Sequence, residues 1–266
     1  MAANGIPQPG FGTSGHEGDS CVESVVDALE TGYRHIDTAQ MYDNETEVGT
    51  ALERADVGRE DVFLATKVHP SNLAYDDVLK TTEESLERLG VDRVDLLYVH
   101  WPTDAYDPEE TLPAMDEVRE RGLTRHLGVS NFTVELLEEA REILESPLLA
   151  HQIEVHPFFQ QDELVSAARD HDITTVAYCP IAKGDVLENE TLCEIGDSHN
   201  ATAVQVALAW HNTRDAVVAI PKATGEHIHE NYTALEIDLT EDELGRIAGL
   251  DRGERLVDPD RAAWNR

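Results

Sequence analysis

Lysine is nearly absent from this chain. Only four of its 266 residues are lysine (Lys67, Lys80, Lys183 and Lys222), and the other basic residues are arginine. With 20 basic residues against 54 acidic ones, the net charge is −34. Such a surface repels phosphate backbones, which excludes nucleic acid as a partner. The carboxylates are spread along the whole length and are not an acidic tail. At low ionic strength they repel one another, and at about 1 M salt that repulsion is screened within about 3 Å. The composition therefore points to a halophilic source with an acidic proteome and molar intracellular salt. Cysteine is scarce too. Cys21, Cys179 and Cys193 show no paired spacing, which argues against a disulfide framework and for a reducing, cytoplasmic compartment. No apolar run approaches the roughly 20 residues of a membrane span. The opening MAANGIPQPGFGTSG has no basic region followed by an apolar one, so no signal peptide is expected. Metal-ligand spacings are also missing, with neither HExxH nor CxxC present. His151 and His156 are expected on one strand but on opposite faces, and His227 and His229 have no partner in view, so no metal site is expected.

What the chain does have is alternation. Short apolar runs at 34–37, 62–68, 94–100, 125–129, 150–155, 175–178 and 216–220 read as buried strands, with a short first strand near 8–13. Between them lie amphipathic segments. Val22, Val25, Val26 and Leu29 keep helical spacing, with Asp19 or Ser20 as N-cap and Gly32 as stop. Val78, Leu79, Thr82, Leu86 and Leu89 repeat the pattern up to Gly90. Further helices are expected at 45–56, 109–121, 133–145, 161–171, 202–212, 226–234 and 241–249. About eight strand–helix alternations predict an α/β protein, a (β/α)8 TIM barrel forming a single domain over residues 1–266.

In such a barrel the chemistry sits at the C-terminal strand ends. The polar residues there are Asp37, Lys67, His100, Ser130 with Asn131, Gln152, Tyr178 and Lys222. Each alone has a plainer explanation: Asp37 as a helix cap, Lys67 as a snorkelling lysine, His100 as a core histidine, Tyr42 as a rim aromatic. Together they suggest more, because a buried Asp and Lys on neighbouring strands should pair. Lys67 and Lys222 both stand in apolar contexts where a solvated lysine is not expected. Tyr42 follows Asp37 in the loop above that strand end. A phenol with a pKa near 10 becomes a useful acid when an ammonium stabilises its anion and a carboxylate holds the ammonium. His100 can then orient a carbonyl oxygen, an arrangement suited to protonating an alkoxide formed by hydride arrival. The string Gly10–Gly15 matches GxGxxG, but no strong strand precedes it and no apolar helix start follows, so a Rossmann reading is set aside.

The strings YRHIDTAQMYDNE (33–45), ATKV (65–68), VHWP (99–102), GVSNF (128–132), QIEVHP (152–157), AYCPIAKG (177–184) and IPKAT (220–224) occur in an order that resembles the aldo-keto reductase family over about the whole chain. Within it the chain is most similar to the prokaryotic 2,5-diketo-gluconate reductase-like group, whose tail resembles LDRGERLVDPDRAAWN. The resemblance implies a catalytic tetrad of Asp37, Tyr42, Lys67 and His100, with Tyr42 as general acid. It implies that Ser130, Asn131 and Gln152 hold the nicotinamide carboxamide and that Tyr178 stacks under the ring. The run 179–184 would cross the pyrophosphate, Lys222 would meet the 2′-phosphate with Thr224 as a substitute ligand, and Glu230 and Asn231 would meet the adenine. NADPH is the implied cofactor, with NADH as the other choice because Ala223 and His227 replace phosphate-binding residues usual in the family. A small-molecule carbonyl substrate and a monomeric state are also implied. Met41, Trp101, Phe132 and Trp264 are the expected pocket walls. Ser14 and His69 stand where many members have Trp, which suggests a wider, more polar pocket suited to small hydroxylated or keto-acid substrates. Two other functions are weighed. A non-catalytic NADPH-binding sensor or regulatory subunit would share the fold, but all four tetrad residue types are present. A Schiff-base aldolase using Lys67 is opposed by Asp37, which would keep that amine protonated.

Overall fold

The computed structural model describes residues 2–265. Its centre is a sheet of eight parallel strands in sequential order: β1 Phe11–Gly12, β2 His35–Asp37, β3 Phe63–Val68, β4 Val94–Val99, β5 Thr124–Ser130, β6 Leu148–Glu154, β7 Thr174–Tyr178 and β8 Val217–Ala219. The helices are α1 Gly18–Thr31, α2 Glu45–Arg54, α3 Tyr75–Leu89, α4 Pro108–Glu120, α5 Val134–Ile143, α6 Asp162–Arg169, α7 Glu190–His199, α8 Ala203–Thr213, α9 Glu226–Thr233 and α10 Glu241–Ala248. A short antiparallel pair, Ala2–Ala3 with Ile6–Pro7, precedes β1.

Side-chain alternation explains how the sheet is filled. Ala65, Leu96, Tyr98, Ala150, Val176 and Val218 form one buried cluster with Ile6 and Ile220. Their neighbours Leu64, Leu97 and Val99 pack instead with helix residues such as Val25, Leu86 and Leu112. The strands are thus buried on both faces, as the continuous apolar runs require. Two residues beyond Ala65, Tyr98, Ala150 and Val176 on the same face come Lys67, His100, Gln152 and Tyr178.

The first two glycines of the GxGxxG string serve strand packing. Gly10 N–H donates to Ala219 O at 2.9 Å and Gly12 N–H to Pro221 O at 3.0 Å, joining the first strand to the segment around the last. A Cβ on Gly10 would fall 2.5 Å from His35 Nδ1 and 2.7 Å from Ile220 Cγ2, so a side chain there would force the two segments apart.

Helix α1 buries Cys21, Val22, Val25, Ala28 and Leu29 and stops at Gly32, whose φ of 127° suits only glycine. It begins one residue before the expected caps: Glu17 holds the cap position and makes no side-chain capping bond. Helix α7 was not anticipated. Only Leu192 and Ile195 give it an apolar stripe, and Gly196 interrupts it. That glycine is required by contact, since a Cβ there would lie 2.6 Å from Ala201 O.

Candidate active site

Asp37 ends β2 and Lys67 lies one residue before the end of the adjacent β3. Both are fully buried, and Lys67 Nζ donates to Asp37 Oδ1 at 2.5 Å. The ammonium has two further protons. One goes to Thr38 O at 2.8 Å and the other to Tyr42 Oη at 3.2 Å. All three N–H donors are therefore used. Because the Tyr42 oxygen accepts this bond, its own proton is left to point elsewhere. Tyr42 sits in a single 3-10 turn, Gln40–Tyr42, between β2 and α2. Asn44 fixes that loop: it is buried, it accepts from Thr38 Oγ1 at 2.8 Å, and it donates to Thr13 O at 2.8 Å and His16 O at 3.0 Å.

The electrostatics differ from the expectation of an acidified phenol. Burial raises the Tyr42 pKa above its ordinary value, and the opposing pull of Lys67 does not cancel it. Burial also works against the Lys67 charge, but Asp37 and Tyr42 outweigh it and hold that pKa above normal. The pair is thus a protonated phenol beside a permanent cation. His100 stands edge-on to the Tyr42 ring, with centroids 5.7 Å apart. Burial, reinforced by the charge of Lys67, depresses its pKa far below the usual imidazole value, so it is neutral at pH 7.

A second polar group continues from this one. Gln152 Nε2 donates to Asp37 Oδ2 at 2.8 Å, and Ser130 Oγ to Gln152 O at 3.0 Å. Asn131 donates to Ser130 Oγ at 3.0 Å and His100 O at 2.9 Å, and accepts from Tyr178 Oη at 2.8 Å. Asp37, Lys67, Tyr42, His100, Ser130, Asn131, Gln152 and Tyr178 are therefore one connected surface across six strand ends.

Residues 8–252 match the model of the aldo/keto reductase family. The chain belongs to that family. It is 39% identical to a methylglyoxal reductase, DkgB, of Salmonella typhi, over 98% of this chain and 99% of that one. Among solved structures it resembles a candidate 2,5-diketo-D-gluconic acid reductase B, at 38% identity and a TM-score of 0.95 over 98% of this chain and 94% of the other. It also resembles a Bombyx mori aldo-keto reductase solved with NADP, at 29% identity and a TM-score of 0.89 over 96% and 92% of the two chains.

The remaining expected site residues of this aldo/keto reductase fall in less uniform settings. Lys222 is exposed, contrary to the buried context inferred for it; it lies beyond the end of β8 and donates to Ser14 O at 3.0 Å. Thr224 is exposed. Glu230 is exposed on α9 and meets His227 at 2.6 Å, while the neighbouring Asn231 is buried. Met41 is half-buried beside Tyr42. Trp101 and Trp264 face each other at 5.7 Å between centroids, so the tail reaches the strand end that carries His100. Phe132 is buried, packs edge-on against Tyr106, and lines a cavity next to Asn131. His156 is not on a strand with His151. It follows the end of β6 and pairs with buried Glu154 at 3.0 Å.

Two features escaped the sequence. Asn44 precedes α2 and would be read as its cap, yet its side chain makes no capping bond and ties loops together instead. Glu154 gives no local signal at all. It receives the N–H groups of Leu256 at 2.6 Å and Val257 at 2.9 Å, pinning the tail to β6.

Proposed function

We propose that this protein reduces aldehydes or ketones to alcohols with a nicotinamide cofactor, Tyr42 donating the proton. The observation that carries this is the Tyr42 oxygen held by an ammonium whose other two protons are already spent on Asp37 and Thr38. A half-buried phenol that stays protonated can give its proton to a developing alkoxide, and the adjacent cation then stabilises the phenolate. Neutral His100 orients the carbonyl oxygen by a hydrogen bond. Met41, Trp101, Phe132 and Trp264 are read as the pocket walls.

The donor set fits a nicotinamide dinucleotide. Ser130, Asn131 and Gln152 offer amide and hydroxyl groups suited to a carboxamide, and Tyr178 offers a ring face beside them. The run 179–184 has left-handed backbone at Cys179, Ala182, Lys183 and Gly184; such turns suit the close approach of a diphosphate. Lys222 with Thr224 would meet the ribose phosphate, and Glu230 and Asn231 the adenine. When bound, the reduced cofactor supplies the hydride. NADPH is favoured because Lys222 leaves an exposed cation at the end of that track, with NADH as the second choice.

The same reading takes the sheet as a closed (β/α)8 barrel forming one domain, supported by the Gly10 and Gly12 hydrogen bonds to the last segment. It places the protein as a monomer in a reducing cytoplasm at high salt, supported by three unpaired cysteines and the charge of −34. By similarity to its relatives, small dicarbonyls such as methylglyoxal and diketo-sugar acids are the substrate classes to try. Nothing observed favours the non-catalytic sensor. Replacing Tyr42 by Phe tests the reading. Turnover should fall by about 10²–10⁴-fold while NADPH still quenches protein fluorescence; retention of most of the turnover would remove Tyr42 from its role.

A further inference from the structure

The turn that carries Tyr42 is enclosed by a ring of hydrogen bonds that the chemistry above does not use. The ring starts just past the end of β3, where the His69 N–H donates to Gln40 Oε1 at 2.9 Å. Gln40 Nε2 donates to Ser85 Oγ on α3 at 3.1 Å, and the same oxygen accepts from Arg88 Nη2 at 3.0 Å. Arg88 also donates through Nε at 2.9 Å and Nη2 at 2.7 Å to Oε2 of Glu45. The other oxygen of Glu45 accepts from Thr66 Oγ1 at 2.6 Å, which returns the ring to β3. Thr66 and His69 flank Lys67 in the chain, and Gln40 and Glu45 flank Tyr42. The segment of the proton donor is thus clamped against the strand of its cation from both sides.

Tyr42 needs such support. Its 3-10 turn closes with Tyr42 N–H donating to Ala39 O at 3.0 Å, and a single turn has little helical cooperativity to hold it. Asn44 secures the loop on the side of β1, to Thr13 and His16, and the ring secures the side of β3. Gln40 has nothing left to offer a ligand. Asn72 Nδ2 also donates to its Oε1 at 3.1 Å and its Nε2 also donates to Thr81 O at 3.1 Å, so both amide protons and both lone pairs are taken. Helices α2 and α3 have their own grounds for packing: Val48, Ala51, Leu86 and Leu89 lie in the buried core, and a Cβ on Gly49 would fall 2.7 Å from Leu89 O. Glu45, Thr66 and Ser85 are nonetheless buried, and a carboxylate at that depth is costly unless it is paired and hydrogen-bonded.

We infer that Gln40, Glu45 and Thr66 are positioning residues, joined through Ser85 and Arg88, that fix the Tyr42 hydroxyl 3.2 Å from the Lys67 ammonium. This rests on the reductase reading, in which the phenol gives up its proton and the ammonium must already be in place to stabilise the anion. A hydroxyl displaced by about 1 Å loses its alignment with the alkoxide and much of that stabilisation, and such a displacement can cost about 10²-fold in rate. The ring acts through Tyr42 and Lys67, so opening it slows the chemical step and leaves binding alone.

The test reduces methylglyoxal with NADPH in about 2 M KCl, using the wild type, Gln40→Leu, Thr66→Val, Thr66→Ser and the double variant Gln40→Leu/Thr66→Val. Gln40→Leu and Thr66→Val should each lower kcat about tenfold or more, with the KM for methylglyoxal and the affinity for NADPH within about twofold of the wild type. Thr66→Ser keeps the hydroxyl and should stay within about twofold in kcat. A ring opened once gains little from a second cut, so the double variant should fall no more than about twofold below the worse single one. Unchanged kcat in both single variants, parallel losses of binding, multiplicative losses in the double variant, or a Thr66→Ser as slow as Thr66→Val would overturn the inference. If Gln40→Leu does not fold, the two Thr66 variants decide it, since they differ from one another only at one small side chain. Crystal structures of Gln40→Leu and Thr66→Val need no turnover. The distance from Tyr42 Oη to Lys67 Nζ should lengthen past about 3.5 Å, and a distance still near 3.2 Å would overturn the inference whatever the kinetics. A lengthened distance in an enzyme whose wild type reduces no carbonyl would leave the ring in its place, and the reductase reading alone would fail.

Discussion

Gln152 Nε2 donates at 2.8 Å to Oδ2 of Asp37, the carboxylate oxygen that Lys67 does not use. One buried carboxylate thus joins two tasks. Its first oxygen anchors the cation beside Tyr42, and its second orients the side-chain amide of Gln152 on β6. A disturbance at Asp37 should therefore be felt both in the proton-donating group and in the residues read as cofactor ligands.

Asp37→Asn should expose this coupling. Lys67 would be left in a fully buried position with no counter-ion, so either its charge or its proton is held at a cost. Breaking a buried pair by removing one partner costs about 3–5 kcal/mol. The urea midpoint should shift accordingly, and turnover should fall with it. A loss of under about 1 kcal/mol would mean that Thr38 and Tyr42 satisfy the ammonium without Asp37.

Three buried histidines set an acid limit. Burial lowers the pKa of His35 to about 4 against the opposing pull of Asp37; burial likewise lowers His151 to about 3, and His211 to about 3 with some help from Arg214. Each is therefore depressed below the unfolded value near 6.5. As pH falls below 6.5 the unfolded chain takes up protons that the folded chain refuses, so stability is complete above 6.5. It is lost progressively down to about 4 for His35 and about 3 for the other two. Each group contributes about 1.4 kcal/mol per pH unit, so the combined slope is about 4 kcal/mol per unit through the middle of that range. Urea midpoints at several pH values between 7.5 and 5, taken in molar KCl to mute the carboxylates, measure it; a flat profile would refute the assignment.

The legible part of this molecule is the part where burial and periodicity act together. Strand-end residues such as Asp37 and Lys67 stood out because a charge at the close of an apolar run needs a partner, and the runs themselves marked the strands. Lys222 misled for the same reason: IPK looks like another apolar run, yet β8 ends at Ala219 and the lysine already lies in solvent. The direction of the Tyr42 shift was hidden because it is a balance between desolvation and the Lys67 charge, which depends on how the loop after β2 folds over that strand end. Asn44 and Glu154 were silent because partners of each are distant in sequence; Glu154 meets residues about a hundred positions away. Helix α7 was missed because its stripe is two residues wide.

Cofactor choice should turn on Lys222. Its amine is exposed and, among the described residues, hydrogen-bonds Ser14 O, so Lys222→Ala should raise the KM for NADPH several-fold and leave that for NADH unchanged. Because exposed charge contacts are weak and screened, the difference should shrink between about 0.2 M and 2 M KCl. An unchanged NADPH-to-NADH ratio in the variant would move phosphate recognition to another residue.

Salt should stabilise the fold, and the shape of its dependence should reveal why. A net charge of −34 on 266 residues is self-repelling. The screening length falls from about 30 Å at 0.01 M to about 10 Å at 0.1 M and about 3 Å at 1 M. If repulsion is the destabilising force, most of the gain in melting temperature arrives before about 1 M KCl and the curve then flattens. Exposed ion pairs such as Arg121 with Glu117 lose strength over the same range, but each contributes little and they are far fewer than the unpaired carboxylates. A melting temperature that keeps rising linearly beyond 2 M, or that rises more with sulfate than with chloride at equal ionic strength, would instead assign the effect to exclusion of salt from apolar surface. A fold no less stable in dilute buffer than in molar salt would detach the acidic composition from any requirement for a saline interior.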